Sequence, residues 1–222
     1  MSWQDREYAK VSGSAGAGFS RFIGSGGRPR SVAMMLIWVN VGIFAIGWFS
    51  PRLWELMFRY GAMMPGTVLH GQIWRLVTSD YLHWGFWHIF ANMLGLYFLG
   101  RPLEQVWGPR KFFAIYSIAG VVGSVCYMIL SMGWLPAGIA VGASGCVLGL
   151  LGAAAVLFPH AKVYVYGIFP VKIRILAALA CGWYVWNVLR GGNNAGGDAC
   201  HIGGLVFGVW WAMKGDRWWS NR

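Results

Sequence analysis

Residues 111–132 read KFFAIYSIAGVVGSVCYMILSM and contain one charged side chain, Lys111, at the first position. A helix of about 20 apolar residues spans the hydrocarbon core of a bilayer. The whole chain is 57% hydrophobic and 11% charged, whereas a soluble domain has about 25% charged residues. The stretch therefore predicts a transmembrane helix, and the composition predicts a protein with several of them.

Five more apolar segments flank this stretch. The six predicted spans are 31–50, 86–106, 111–132, 142–158, 173–190 and 198–214. Backbone N–H and C=O groups in lipid must be hydrogen-bonded within the protein, which only helices and closed β-barrels achieve. The alternating pattern of an outer-membrane barrel is absent, so these spans should be helices. The predicted fold class is all-α, a polytopic membrane protein built as one bundle of six transmembrane helices.

The predicted domain organisation is a single six-span domain with two tails. The domain covers residues 31–214, and residues 215–222 would form a short C-terminal tail. Residues 1–30 are rich in Gly, Ser and cations and lack the apolar core of a signal peptide, so we expect a flexible tail there. The first loop, 51–85, is apolar but broken by Pro and Gly, and we expect it to be partly inserted at the membrane interface.

The basic residues predict the orientation. All but four of the 18 Lys and Arg fall on one side of the predicted topology. The exceptions are Arg52, Arg59, Arg75 and Arg190. By the positive-inside rule both termini are expected in the cytoplasm. The net charge is +11, and the basic residues flank the predicted spans, where they would contact anionic lipid. No nucleic-acid partner is therefore expected.

The sequence Gly142-Ala143-Ser144-Gly145 opens the fourth predicted span, and His201 opens the sixth. A neutral imidazole within hydrogen-bond reach is the commonest activator of a serine nucleophile. Both spans carry stripes of small residues, which allow helices to pack closely in membranes. The two stripes are Gly145, Gly149 and Gly152 in the fourth span and Gly204 and Gly208 in the sixth. Their packing would bring His201 toward Ser144.

His88 and Asn92 begin the second predicted span and lie one turn apart on one helix face. Both can donate hydrogen bonds to a common point, as an oxyanion hole requires. Alternatively, they join neighbouring helices. His88, Ser144 and His201 all begin their spans on the extracytoplasmic side, and the first turn after Ser144 offers unpaired backbone N–H groups.

These residues together resemble the rhomboid family of intramembrane serine proteases, from about Val32 to Met213. The resemblance is carried by Gln72-Ile73-Trp74-Arg75, His83, His88-Ile89-Phe90-Ala91-Asn92, Gly142-Ala143-Ser144-Gly145, and His201-Ile202-Gly203-Gly204 followed by Gly208. Glu104 with Gly108, then Phe113 and Tyr116, also fit the family.

The resemblance implies a catalytic dyad, with Ser144 as the nucleophile and His201 as the general base and then the general acid. It implies an oxyanion hole made by His88, Asn92 and the Ser144 amide. It implies no cofactor, and the five histidines show no metal-ligand spacing with carboxylates. Asp198, three residues before His201, could orient that imidazole, but a role at the end of the span is favoured. The supporting residues are Trp74, Arg75, His83, Gly142, Gly145, Gly204 and Gly208.

Two positions depart from the family's pattern. Leu148 stands where many rhomboids have an aromatic residue that stacks on the catalytic histidine, and Cys200 replaces the commoner alanine before His201. The first puts the orientation of His201 in question, and the second is a small substitution.

The resemblance implies hydrolysis of a peptide bond in or near a transmembrane segment of a membrane-protein substrate. Since water must reach Ser144, we expect a polar depression on the extracytoplasmic side, lined by His83, His88, Asn92 and His201. The fifth span, which supplies no catalytic residue, is a candidate substrate gate. The compact form is most similar to bacterial members, so an inner cell membrane is expected; the sequence indicates no oligomeric state.

Three other classes of protein share some of these sequence features. A small transporter would also use polar residues in glycine-broken helices, but the sequence shows no convincing inverted repeat. A catalytically impaired relative that binds membrane-protein clients would keep the fold, yet it normally lacks the serine or the histidine. A soluble α/β-hydrolase needs a strand, a sharp turn and a helix around its nucleophile, which are not indicated here.

Overall fold

The computed structural model describes residues 31–136, 138–165 and 168–215, and most of these are helical. The predicted N-terminal tail, 1–30, lies outside the described residues, and so do residues 216–222 of the predicted C-terminal tail. Gly215, the first residue of that predicted tail, is the last residue of a π-helical turn.

Ten helices and two strands make up the described part of the chain. The helices are α1 (Val32–Phe49), α2 (Pro51–Gly61), α3 (Pro65–Leu69), α4 (Arg75–Thr78), α5 (Phe86–Gly95), α6 (Arg101–Trp107), α7 (Pro109–Ser131), α8 (Ser144–Leu157), α9 (Ile173–Leu189) and α10 (Ala195–Trp210). A 3₁₀ turn covers Ser79–Tyr81, and π-helical turns cover Leu96–Gly100 and Trp211–Gly215. The strands are β1 (Lys162–Val165) and β2 (Phe169–Lys172).

Each of the six predicted segments is helical in the structure. The second is formed by α5, the π-helical turn and α6 in succession. Among the described helices, α1 with 18 residues and α7 with 23 are long and apolar enough to span a bilayer by length and composition, while α8 and α9 are apolar but shorter. The predominantly helical fold is confirmed.

The all-α description misses a small hairpin. Strands β1 and β2 pair antiparallel between α8 and α9, with Lys162 opposite Lys172 and Val165 opposite Phe169. The segment is rich in Val, Tyr and Phe, which favour strands. It lies between two predicted spans, where hydropathy alone carried no prediction of structure.

Helices α7, α8 and α10 form the centre of the bundle through glycine contacts. A Cβ added to Gly204 would overlap the carbonyl oxygen of Gly145, and one added to Gly208 would overlap that of Gly149. On the other side of α10, a Cβ on Gly203 would lie 2.7 Å from Cys126 Cβ of α7. The backbones therefore approach as closely as they do because these positions carry no side chain.

The N-terminus of the first helix is attached to the bundle by hydrogen bonds to Glu104. The Glu104 carboxylate of α6 accepts hydrogen bonds from Ser31 Oγ at 2.6 Å, from Val32 N at 2.8 Å and from Ala33 N at 3.1 Å. An anion at a helix N-terminus satisfies N–H groups that have no helical acceptor. Glu104 thus fixes the start of α1 against the end of α6.

The first loop is organised around the C-terminus of α2. Arg75 is 3% exposed and donates to the carbonyl oxygens of Arg59 and Ala62, both at 2.6 Å. Trp74 Nε1 donates to Tyr60 O at 3.0 Å. These bonds satisfy the carbonyls left unpaired at a helix end. Trp74 and Arg75, two of the predicted supporting residues, therefore hold the first loop against the end of α2.

Candidate active site

Ser144 is the first residue of α8, and the preceding turn fixes its position. The segment before it pairs with the first loop, because Met63 and Ala140 exchange backbone hydrogen bonds at 3.0 and 2.9 Å. Gly142 adopts φ +122°, a conformation that glycine tolerates far better than other residues, and its N–H donates to Ser79 O at 2.9 Å. The turn thus presents Ser144 at the open end of the helix.

His201 lies in the second turn of α10, and its Nε2 is 2.7 Å from Ser144 Oγ. The glycine contacts between α8 and α10 set this distance. With a neutral imidazole protonated at Nδ1, Nε2 accepts the hydroxyl hydrogen. A serine hydroxyl in this geometry can lose its proton to the imidazole as it attacks an electrophile.

His88 and Asn92 face the turn that leads to Ser144. A Cβ built on Gly142 would lie 2.7 Å from His88 Nε2 and 3.7 Å from Asn92 Nδ2. The Trp84 N–H points to His88 Nδ1 at 3.4 Å, which favours the tautomer with the hydrogen on Nε2. Asn92 Nδ2 donates one hydrogen to His88 O at 3.0 Å and carries a second. Two side-chain donors therefore converge beside Gly142.

His83 lies behind this turn and not in the cavity. It is 1% exposed, and its Nε2 is the acceptor for Ala143 N–H at 3.4 Å. Burial, with a smaller contribution from His88, lowers the pKa of His83 to about 3. The imidazole is thus neutral at physiological pH and supports the backbone before Ser144.

A polar cavity opens at Ser144 and His201, and His88 also lines it. Of the four side chains expected to line the depression, His88 and His201 do so, whereas His83 and Asn92 are buried, at 1% and 5% exposure. The Asn92 amide nevertheless lies close to Gly142, which lines the cavity.

Asp80 also lines this cavity, and the sequence reasoning missed it. It is 6% exposed and lies beside Cys146 and the Cα of Gly120. Burial raises the pKa of Asp80 to about 8, with a hydrogen bond to Cys146 acting in the opposite direction. A buried carboxyl whose pKa is raised therefore lines the same cavity as the serine–histidine pair.

Tyr184 of α9 is a second residue that the sequence did not reveal. Its ring centroid is 4.5 Å from that of His201, with the planes at 60°. An aromatic ring thus packs on His201 from a different helix than Leu148, which stands at the position the family commonly uses. In the sequence, Tyr184 is only a tyrosine within the apolar fifth segment. No local sequence pattern indicates that it contacts His201.

A helical bundle of membrane-type composition that places a serine against a histidine in a polar cavity has the architecture of the rhomboid class. A comparison with family models agrees, since the Rhomboid domain matches residues 70–216. The chain belongs to the rhomboid family.

Similar proteins include both mitochondrial and bacterial members. "Rhomboid protein 1, mitochondrial" of Saccharomyces cerevisiae is 31% identical over 204 residues, which is 84% of this chain and 54% of the relative. "RHOMBOID-like protein 12, mitochondrial" of Arabidopsis thaliana is 28% identical, over 93% of this chain and 65% of the relative. "Rhomboid protease GluP" of Bacillus subtilis is 33% identical, over 69% of this chain and 28% of the relative. The chain therefore spans between about a quarter and two thirds of the length of these relatives.

Proposed function

We propose that this protein is a serine-type intramembrane endopeptidase that hydrolyses peptide bonds in or near transmembrane segments of other membrane proteins. The observation that carries the proposal is the 2.7 Å contact between Ser144 Oγ and His201 Nε2. The membership in a family that includes a protein named as a protease supports it.

In the proposed mechanism His201 accepts the Ser144 proton as Oγ attacks the scissile carbonyl carbon. The developing oxyanion is stabilised by His88 Nε2–H, by Asn92 and by the Ser144 amide at the N-terminus of α8. His201 then donates the proton to the leaving amine. A water molecule, deprotonated by His201, then attacks the acyl carbonyl carbon. The ester bond to Ser144 breaks, and His201 returns the proton to Oγ.

We also propose that the six helical segments cross the bilayer and that residues 31–214 form the catalytic domain. The outward side chains support this: Trp183 and Trp186 of α9 are each 59% exposed, and apolar surface of this kind fits lipid better than water. The distribution of Lys and Arg supports cytoplasmic termini and a cavity that opens to the opposite side of an inner membrane.

A catalytically impaired relative that binds membrane-protein clients is the alternative within the family. Such a relative does not need a contact between Ser144 and His201. The short distance between their side chains therefore favours the enzyme. A small transporter has no comparable support from the contacts described.

The proposal is tested by labelling with a fluorophosphonate, which reacts with activated serines. The detergent-purified protein should be labelled, and Ser144→Ala and His201→Ala should abolish or strongly reduce the labelling. Ser131→Ala is the matched control, because Ser131 Oγ donates to Met128 O at 2.7 Å, within the last turn of α7. Labelling that survives in Ser144→Ala would show that the nucleophile is another residue.

A further inference from the structure

Asp198 lies directly beside the histidine of the proposed site. Its Oδ1 is 3.5 Å from His201 Nδ1, three residues along α10. Asp198 is 3% exposed. Within the part of the chain that the structure describes, His201 Nδ1 and Asp198 Oδ2 are both buried without a hydrogen-bond partner.

The proton on the imidazole has to be on Nδ1 for Nε2 to accept from Ser144. A buried N–H without an acceptor is destabilising, and the Asp198 carboxylate is an acceptor close to His201 Nδ1. In ligand-free enzymes such bonds are often long and shorten when the reaction complex forms. The 3.5 Å separation of His201 Nδ1 and Asp198 Oδ1 is longer than an ordinary N–H···O bond, so the bond would have to shorten in the reaction complex.

Two further contacts limit how the imidazole can move. Asn194 Nδ2 donates to Asp198 Oδ1 at 3.2 Å, which holds the carboxylate toward His201. The Tyr184 ring packs against the His201 ring in a tilted arrangement. The imidazole is therefore bounded by a carboxylate near Nδ1 and by an aromatic ring from α9, while Leu148 contributes no aromatic contact.

A purely structural explanation of Asp198 also exists. It lies in the first turn of α10, where a negative charge interacts favourably with the helix dipole. This role would make Asp198 matter for stability but not for the protonation of His201. The two explanations therefore differ in measurable ways.

We propose that Asp198 is a positioning residue that accepts the Nδ1–H of His201 and so keeps Nε2 available as the acceptor for Ser144. The proposal rests on the function proposed above and makes the site a triad in which the acid and the base share one helix. Asparagine at position 198 has the same shape but can donate to Nδ1, which favours the wrong tautomer.

The first measurement is the rate of fluorophosphonate labelling of the full chain in detergent. Asp198→Asn should slow labelling on the order of 10²- to 10⁴-fold and leave the thermal midpoint of unfolding close to that of the wild type. Glu55→Gln, which removes the same charge from an exposed position of α2, should label at the wild-type rate. An Asp198→Asn variant that labels at the wild-type rate would overturn the proposal.

The second measurement reads the tautomer without activity. In ¹⁵N-histidine NMR of the wild type, the His201 signals, assigned by their loss in His201→Ala, should show hydrogen on Nδ1, and Asp198→Asn should reduce that form. A wild type with hydrogen on Nε2, or a slower Asp198→Asn with unchanged tautomer, would contradict the role of Asp198. A wild type that shows the Nδ1–H form but no Ser144-dependent labelling would instead contradict the proposed function.

Discussion

The tautomer of His88 is favoured by a contact at Nδ1 of its imidazole. The Trp84 N–H occupies Nδ1 at 3.4 Å, so the hydrogen belongs on Nε2, which faces Gly142. Asn92 lies one turn later and is fixed to the His88 carbonyl. The two donors are therefore in place before any substrate arrives, as electrostatic stabilisation of an oxyanion requires.

Replacing either donor should lower turnover with little effect on folding. His88→Ala and Asn92→Ala should each reduce the rate of reporter cleavage by about 10²- to 10³-fold, the usual cost of one oxyanion-hole donor. The thermal midpoint of unfolding serves as the control. A variant that retains full turnover would remove that residue from the oxyanion hole.

Asp80 gives a prediction about pH. Because burial raises its pKa in the folded protein to about 8 from 3.8, the folded state holds a proton that the unfolded state releases between these values. The stability associated with this group is present below about pH 4 and is lost as the pH rises toward 8. The buried His83, whose pKa is lowered from 6.5 to about 3, acts in the opposite direction below about pH 6.5, because the unfolded state binds the proton there. The decline in wild-type stability due to Asp80 should therefore appear between pH 6.5 and pH 8.

The test compares thermal midpoints in detergent from pH 5 to pH 9. Asp80→Asn keeps the shape of the neutral carboxyl without its ionisation, so its midpoint should fall less with pH than that of the wild type. Glu55→Gln, at an exposed position, should follow the wild-type curve. Parallel curves for wild type and Asp80→Asn would contradict the raised pKa.

At the scale of helices, the site depends on the packing of α8 against α10. Each helix contributes glycines whose missing side chains let a backbone carbonyl of the other approach. Ser144 and His201 lie at the same ends of these two helices. The distance between nucleophile and base is therefore set by backbone contact, which is stiffer than contact between long side chains.

Gly208→Ala should separate the two helices, because the new Cβ would overlap Gly149 O. We expect a loss of about 1–3 kcal/mol in stability, typical of overpacking, together with slower labelling of Ser144. Gly182→Ala in α9 is the matched control, since nothing lies within 4 Å of its added Cβ and alanine favours helix. If the two variants have equal thermal midpoints and equal rates of Ser144 labelling, the glycine contacts do not determine the distance between Ser144 and His201.

Sequence patterns predicted the helical segments because apolar runs and glycine spacing are local. They predicted the catalytic candidates because a serine, a histidine and two amide or imidazole donors are costly at membrane depth. Tyr184 could not be predicted, since its contact with His201 joins two helices whose relative rotation no local pattern encodes. The β1–β2 hairpin and the π-helical turn at Leu96–Gly100 were missed because hydropathy does not distinguish a regular helix from its local variants.

At the scale of the molecule, the polar groups and the apolar surface are separated. The cavity gathers Ser144, His201, His88 and Asp80 inside the bundle, while α1 and α9 present large apolar side chains outward, including Trp38 and Trp183. This arrangement fits the proposed hydrolysis among helices that face lipid. Since α9 carries both the outward tryptophans and Tyr184, the predicted gating movement of α9 would also change the contact on His201.

The most direct test of the account is cleavage of a single-span reporter protein in liposomes that contain the purified full chain. The wild type should cut the reporter in or beside its transmembrane segment, as mapped by mass spectrometry, and Ser144→Ala at equal incorporation should leave it intact. Cleavage by Ser144→Ala at the wild-type rate and position would contradict the assignment of Ser144 as the nucleophile.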